Sequence, residues 1–477
     1  MTQFKFSRRE LGGFMLGATT FAALPVWAKE PHNWQLGFKT PPQELDSELK
    51  RISGKLPSDL EGVLFRNGPA QYERNGVRLG HWFDGDGMIQ RFIIGNDRVR
   101  HRGRFVSTNK RRAEEKAKRF LYSGFGFSPP NPVPLRGPDD INAANTSVLR
   151  VGNELWALWE GGSPWRLDAE NLNTIGRHAF PNEFDGAPFS AHPKQGPDGD
   201  IWNFGAFGNR CIIWQIASDG SFKKATMITL PTPSLMHDFA VTQRSIILLM
   251  PPMLLSGGNG TSLIDNYSWQ PDKPLQVLIL DKEDLTQQRL YELPAKFLFH
   301  VGNAWEDSQG VIRLDCFLTE NSYFATHTAR ELPRGEYSDP PNARPTLLTF
   351  HPDGRASTET HKGIGEFPRI DPRRVGIEHR YTYGVTGSGI ASWDWQSGRQ
   401  SIYMYGSDYW AEEPIFVPRP GGSTENDGWL VATVLNTRSG ITELAFFDAR
   451  NIADGPIALY ACPYALPIGF HGIFDSI

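Results

Sequence analysis

The chain has 477 residues, a formal net charge of −4 and 21% charged residues. A balance this close to neutral gives no footing for nucleic acid. The length admits about three ordinary domains or one large β-rich unit, and 48 glycines, 36 prolines and 30 phenylalanines favour many short strands joined by tight turns over disorder.

Residues 1–28 read as a targeting segment and are set apart from the fold. Ser7-Arg8-Arg9-Glu10-Leu11 is a twin-arginine pattern, followed by the apolar run 12–24 and Pro25-Val26-Trp27-Ala28. A membrane anchor is the plainer alternative, but the run falls short of the roughly 20 residues a span needs. The expectation is export to the periplasm and a single domain over residues 29–477.

Residues 60–94 are strand-like and broken by turns, among them Asp84-Gly85-Asp86-Gly87. This stretch lacks the remaining ligands and closing glutamate of an EF-hand, so a hairpin turn with positive-φ glycines is expected. Residues 111–120 are rich in Ala, Glu, Lys and Arg and predict one solvated helix. A strand-turn unit then repeats at Asp168-Ala169-Glu170-Asn171-Leu172, Asp281-Lys282-Glu283-Asp284-Leu285 and Asp448-Ala449-Arg450-Asn451-Ile452. Looser copies stand at Ser218-Asp219-Gly220 and His351-Pro352-Asp353-Gly354. Such repetition without helical periodicity predicts an all-β fold, a β-propeller or a large sandwich. Cys211, Cys316 and Cys462 show no metal-type spacing and read as buried free thiols.

Of the 12 histidines, His178, His327, His351, His361 and His379 sit in polar turns and read as solvated. His192, His237, His300 and His471 instead lie at strand edges beside bulky apolar residues, where an unpaired imidazole is costly to bury. Any one of them alone is better explained as a satisfied core histidine. Their separations of 45, 63 and 171 residues exclude a local helix-borne motif, and suit ligands drawn from different blades toward one axis. Four imidazoles suit iron, zinc or copper by softness. Ligating histidines need an acceptor on the other nitrogen. Glu160, Glu366 and Glu413, each in an apolar setting, are the candidates, with turn-capping or an arginine partner as the simpler account.

The sequence resembles the carotenoid cleavage oxygenase family over nearly the whole chain after residue 28, as a bacterial exported member. The resemblance is carried by Phe65-Arg66-Asn67-Gly68-Pro69, Phe83-Asp84-Gly85-Asp86-Gly87-Met88, Ala144-Asn145-Thr146, Ala191-His192-Pro193-Lys194 and Met236-His237-Asp238-Phe239. It continues through Phe299-His300, Glu366-Phe367-Pro368, Glu413-Pro414-Ile415-Phe416-Val417-Pro418-Arg419 and Gly469-Phe470-His471-Gly472. It implies a seven-bladed β-propeller with a helical and loop cap over its top face and a metal on the axis. That metal would be one Fe(II) per chain, held by His192, His237, His300 and His471, with Glu160, Glu366 and Glu413 behind them. It further implies an oxidoreductase that cleaves a conjugated double bond with O₂ to give two carbonyl products.

Lignostilbene-type members hold a phenol through a tyrosine in the segment matching residues 103–108 and a lysine before Asn-Thr. Here Phe105 and Asn142-Ala143-Ala144 stand at those places, which places Phe105 in the substrate tunnel and favours a carotenoid or apocarotenoid. Stilbene or phenylpropanoid cleavage is the alternative, and a non-catalytic periplasmic metal-binding propeller the competing class. The loop 251–255, Pro251 to Leu255, is expected to offer an apolar patch to a membrane beside the tunnel mouth. Residues this apolar give no sign of oligomeric state.

Overall fold

The computed structural model describes residues 33–196, 199–257 and 260–476. The twin-arginine pattern and its apolar run lie outside the described residues. Among the described residues no helix is long and apolar enough to cross a membrane.

Seven antiparallel sheets of four to six strands follow one another along the chain, with two small ribbons inserted within two of them. Blade 1 runs Gly472–Ser476, Gly62–Pro69, Gly87–Gly95, Arg98–Phe105 and Glu44–Glu48 from its innermost strand outward. Blades 2 to 6 each have four strands, beginning at Ser147–Val151, Lys194–Gln195, Phe239–Val241, Val301–Glu306 and Glu366–Arg369. These are consecutive in the chain except in blade 4, where the ribbon Met253–Leu255 with Tyr267–Trp269 comes between the second and third. Blade 7 begins at Ile415–Pro418 and ends on Lys50–Gly54 from the N-terminal side. The C-terminal strand therefore completes blade 1 from the inside, while the N-terminal strands finish blades 1 and 7 from the outside. Both chain ends lock the ring.

Apolar side chains show that the ring closes. Blade 2 packs on blade 3 through Trp156, Ile201 and Trp214, and blade 3 on blade 4 through Phe204, Phe239 and Leu278. Blade 4 meets blade 5 at Val277 and Leu314, blade 5 meets blade 6 at Phe317 and Trp393, and blade 6 meets blade 7 at Tyr383 and Phe416. Leu64 and Phe92 then join Leu444 and Phe446, and Phe65 and Ile89 join Val148 and Leu155. Every sheet is apolar on both faces, as blades stacked around an axis require. The fold is the seven-bladed propeller, and the sandwich alternative is set aside.

The repeat found in the sequence falls at the same place in blades 2, 3, 4, 5 and 7, the turn between third and fourth strands. Asp168 accepts from the backbone N–H groups of Glu170 and Asn171 at 2.9 Å each. Asp281 does the same for Glu283 and Asp284, and Asp448 for Arg450. Asp394 makes a further copy in blade 6, accepting from Gln396 and Ser397. A carboxylate that imitates a backbone acceptor fixes this turn whatever residues follow it.

Three local expectations change. Asp84-Gly85-Asp86-Gly87 is not a hairpin turn with positive-φ glycines: Trp82–Asp84 form a 3₁₀ turn and Gly85 has φ −64°. Gly87 is needed for space, since a Cβ there would stand 2.1 Å from the Ala144 carbonyl oxygen. The helix spans Asn109–Ala117, capped by the Thr108 hydroxyl and stopped by left-handed Lys118. It is not a solvated helix, because Lys110, Arg111 and Glu114 are buried, with Lys110 bonded to Asp86 at 2.7 Å and Glu114 at 3.2 Å. His379 is likewise buried, 3.2 Å from Asp315, and not solvated. Cys211, Cys316 and Cys462 are buried free thiols.

Candidate metal centre

Each of the four singled-out histidines stands one or two residues before the innermost strand of a blade. His192 precedes Lys194–Gln195 of blade 3, His237 precedes Phe239–Val241 of blade 4, and His300 precedes Val301–Glu306 of blade 5. His471 precedes Gly472–Ser476, the innermost strand of blade 1. Innermost strands crowd the axis, so side chains at their leading ends converge there. The four imidazoles offer one nitrogen each within 4.8 Å of one another. The Nε2 atoms of His192 and His237 are 3.0 Å apart, those of His237 and His300 3.2 Å, and those of His300 and His471 3.1 Å.

Carboxylates stand at the opposite nitrogen of three of the four imidazoles. Glu366, first residue of the inner strand of blade 6, accepts from His300 Nδ1 at 2.5 Å. Glu413, two residues before Ile415–Pro418 of blade 7, accepts from His471 Nδ1 at 2.8 Å. Glu160 follows the second strand of blade 2 and places Oε1 3.2 Å from His237 Nδ1 and 3.6 Å from His192 Nε2. Its approach is off the line of a hydrogen bond, so the contact is close but not aligned.

Protonation follows from burial. Burial pushes the imidazoles of His192 and His237 well below their ordinary range, reinforced by the neighbouring histidines. Burial also lowers His471, with Glu413 pulling in the other direction. Burial would raise the Glu413 carboxyl, but Arg369 and His471 outweigh it and hold it down to about 2. Burial drives Glu160 well upward, helped by the charge of Asp238. Thirty per cent of the Glu160 side chain is exposed, to the internal cavity it lines.

These facts fit a metal. A neutral imidazole that donates its Nδ1–H to a carboxylate turns a lone pair outward at Nε2. Lone pairs facing each other at 3.0–3.2 Å repel unless a cation lies between them. All-nitrogen donors with carboxylates behind them suit a divalent transition metal.

The cluster opens into a cavity of about 750 Å³. His237, His300 and His471 face it, with Phe83, Trp159, Phe299, Phe324, Trp410 and Phe470 among its walls. Phe299 and Phe470 each immediately precede a metal-facing histidine, a signal the sequence carried and its reading missed. Phe367, after Glu366, stacks on His300 at 4.9 Å and holds φ +54°, a conformation bulky residues seldom adopt.

Phe105 is a correction. It closes Arg98–Phe105, three strands out from the innermost strand of blade 1, and is 2% exposed. Its ring lies under the Arg111 guanidinium at 3.7 Å, in the core between blades 1 and 7, and it lines no part of the cavity. The strand's alternation turns position 105 onto the buried face of the sheet. Asn142 spends its amide on Asp139 and the Ser163 carbonyl, so it ties two loops together. Ile141, one residue earlier, lines the cavity.

Comparison with known proteins adds the following. Residues 38–476 match the family model described as retinal pigment epithelial membrane protein. Apocarotenoid-15,15'-oxygenase of Synechocystis is 32% identical, covering 93% of this chain and 96% of that protein. Resveratrol cleavage oxygenase 1 of Aspergillus fumigatus is 27% identical over 91% of this chain and 94% of that protein. Isoeugenol monooxygenase of Pseudomonas putida is 28% identical over 89% and 94%. A crystal structure of the cobalt-substituted Synechocystis apocarotenoid oxygenase superposes with a TM-score of 0.83 at 28% identity, covering 94% of this chain and 99% of that one.

Proposed function

The chain belongs to the retinal pigment epithelial membrane protein family, that of the carotenoid cleavage oxygenases, and from that membership we propose that it is a non-haem iron(II) dioxygenase cleaving a conjugated double bond of a carotenoid or apocarotenoid. The coarser statement, an oxygenase, rests on relatives named as oxygenases along nearly the whole chain. The observation that carries the finer reading is the four-imidazole cluster opening into a large aromatic-walled cavity. His192, His237, His300 and His471 would hold the iron, with Glu366 and Glu413 orienting His300 and His471 and Glu160 standing beside His237. Iron(II) held there would supply the activation of O₂ that oxidative cleavage of a double bond to two carbonyl products needs. The chain's own share is to keep its imidazoles neutral, exclude bulk water and lay an extended apolar substrate beside the metal. No side chain here needs to donate or remove a proton.

Cleavage of a stilbene or phenylpropanoid is the second reading, favoured by the resveratrol- and isoeugenol-acting relatives. The sequence argument against it leaned on Phe105, which lies outside the cavity. The carotenoid reading is preferred because the mouth is apolar as well as the walls. Leu135, Phe207, Leu255 and Leu263 all line the cavity and are 47%, 42%, 40% and 40% exposed. We propose that this rim meets a membrane in which the substrate is dissolved. The loop at Pro251–Leu255 contributes less than its sequence promised, for Pro251, Pro252 and Met253 are buried and Leu255 alone is exposed. Residues 1–28 are proposed to direct twin-arginine export to the periplasm, which sequencing the N terminus of the secreted protein tests.

The deciding experiment incubates iron-loaded protein under ¹⁸O₂ with carotenoids, apocarotenals of graded length and hydroxystilbenes. A labelled carbonyl pair from a carotenoid or apocarotenal, absent in His237→Ala, is the expected result. Cleavage of stilbenes alone would replace it with the second reading, and iron-loaded protein inert toward all of them would overturn both.

A further inference from the structure

The cavity is apolar in composition, yet several hydroxyl and amide side chains border it, and what each already binds separates them. Asn145 donates to the carbonyls of Phe83 and Gly85 at 2.8 and 2.7 Å and accepts from Thr146 at 3.1 Å. Ser234 donates to the Pro251 carbonyl at 2.5 Å, and Thr319 to the Pro341 carbonyl at 3.2 Å. Asn266 is bound at both ends, by the Ser262 carbonyl and the Gly260 N–H. The Tyr337 hydroxyl is bonded to Asp339. Those groups are fixed by the protein and have nothing further to offer an apolar substrate. Asn342 is exposed at the surface.

Tyr267 differs. It lines the cavity and is partly buried, but its hydroxyl makes no hydrogen bond with the described residues. Its place is set by the ribbon Met253–Leu255 with Tyr267–Trp269, in which Tyr267 lies directly opposite Leu255 of the apolar rim. It packs against the buried cluster of Met253, Ile264, Phe297 and Ala325, against which Phe299 and Leu235, next to His300 and near His237 in sequence, also pack. The ring thus bridges the mouth and the inner wall. Burial pushes the phenol upward, so at neutral pH it remains a proton donor.

Resting on the reading of the cavity as a polyene or stilbene site, we propose that Tyr267 is the specificity-determining residue for substrates bearing an oxygen at the end that trails toward the mouth. Its hydroxyl donates to that hydroxyl or carbonyl oxygen, while the metal end of the substrate is held by shape alone. A hydrocarbon end group offers that donor no acceptor, so it lacks the hydrogen bond that an oxygenated end group gains. The shared chemistry is an oxygenated terminus, whether on an apocarotenoid ring or a stilbene phenol.

The test compares the full-length protein with Tyr267→Phe, which keeps the ring and its packing. Dissociation constants are read from the absorption change of three probes: a ring-hydroxylated apocarotenal, its unhydroxylated counterpart and a hydroxystilbene. Loss of one neutral hydrogen bond should weaken a hydroxylated probe about 3- to 10-fold and leave the unhydroxylated one within about twofold. Weakening of the hydroxylated apocarotenal alone assigns the site to apocarotenoids, and of the hydroxystilbene alone to phenols. Equal effects on all three probes, or none, would overturn the role of Tyr267. Because binding is read without turnover, a protein that binds selectively but cleaves nothing would count against the dioxygenase reading and leave this one standing. A wild-type protein that binds no probe overturns both.

Discussion

Glu413 and His471 lie 58 residues apart in the chain and meet at 2.8 Å, carboxylate to Nδ1. The same carboxylate accepts from the Gly472 N–H through its other oxygen at 2.9 Å. One side chain of blade 7 therefore fixes both the tautomer of a metal-facing imidazole and the start of the strand that closes blade 1. Removing the charge while keeping the shape, in Glu413→Gln, should lower metal affinity by about 10- to 100-fold. Competition with a chromophoric chelator measures it, and circular dichroism checks that the propeller is intact. Unchanged affinity would mean that Glu413 serves closure only.

Arg66 clamps the same tail. Its guanidinium donates to the Glu413 and Phe470 carbonyls at 2.7 and 3.1 Å and pairs with buried Glu412 at 3.4 Å. Arg66→Met leaves the Glu412 carboxylate buried without its partner, a loss of about 3–5 kcal/mol for a pair of this kind. Urea unfolding should show it. Adding Glu412→Gln to that variant should recover part of the loss, and a double variant no more stable than the single one would show that the clamp, not the stranded charge, matters.

The Trp82–Asp84 turn carries a pH dependence of its own. Asp84 accepts from the Phe125 and Gly126 N–H groups at 2.6 and 3.1 Å, yet burial pushes its carboxyl up from 3.8 to about 7. Between those values the folded protein retains a proton that the unfolded chain releases. Stability from this group is therefore complete below about pH 4 and lost as pH rises through 7. Asp84→Asn cannot ionise, so the stability of the wild type relative to the variant should fall between pH 4 and pH 8. Denaturation midpoints at the two pH values that differ by a constant amount would refute the assignment.

The apolar rim predicts a separable phenotype. Leu255→Asp with Leu263→Asp changes two exposed side chains at the mouth and should abolish flotation with liposomes while leaving the thermal midpoint nearly unchanged. Met253→Asp would not serve, because Met253 is 1% exposed and packs with Phe297 and Ile264. Flotation that survives the double change would place the membrane contact elsewhere.

Much of this protein was legible in its sequence. Apolar strands, turn aspartates at 168, 281 and 448, and the scarcity of helical periodicity dictate a repeated β-architecture, since alternation and Asx turns are local properties. The unusual settings of His192, His237, His300 and His471, and of Glu160, Glu366 and Glu413, were also visible, because a polar side chain among bulky apolar ones must have a partner. Which partner was not visible. That Glu366 serves His300, that Glu413 serves His471, and that Glu160 reaches both His237 and His192 depends on the order of blades around a closed ring, which brings blade 7 beside blade 1. The same holds for Phe105, sent into the core by the pleat of a fourth strand, for Asp86, paired with a helix that looked solvated, and for Tyr267, placed at the mouth by a two-stranded ribbon. Local chemistry is written residue by residue along the chain; convergence on an axis is decided by strand order and closure, which are long-range properties that only the packed structure fixes.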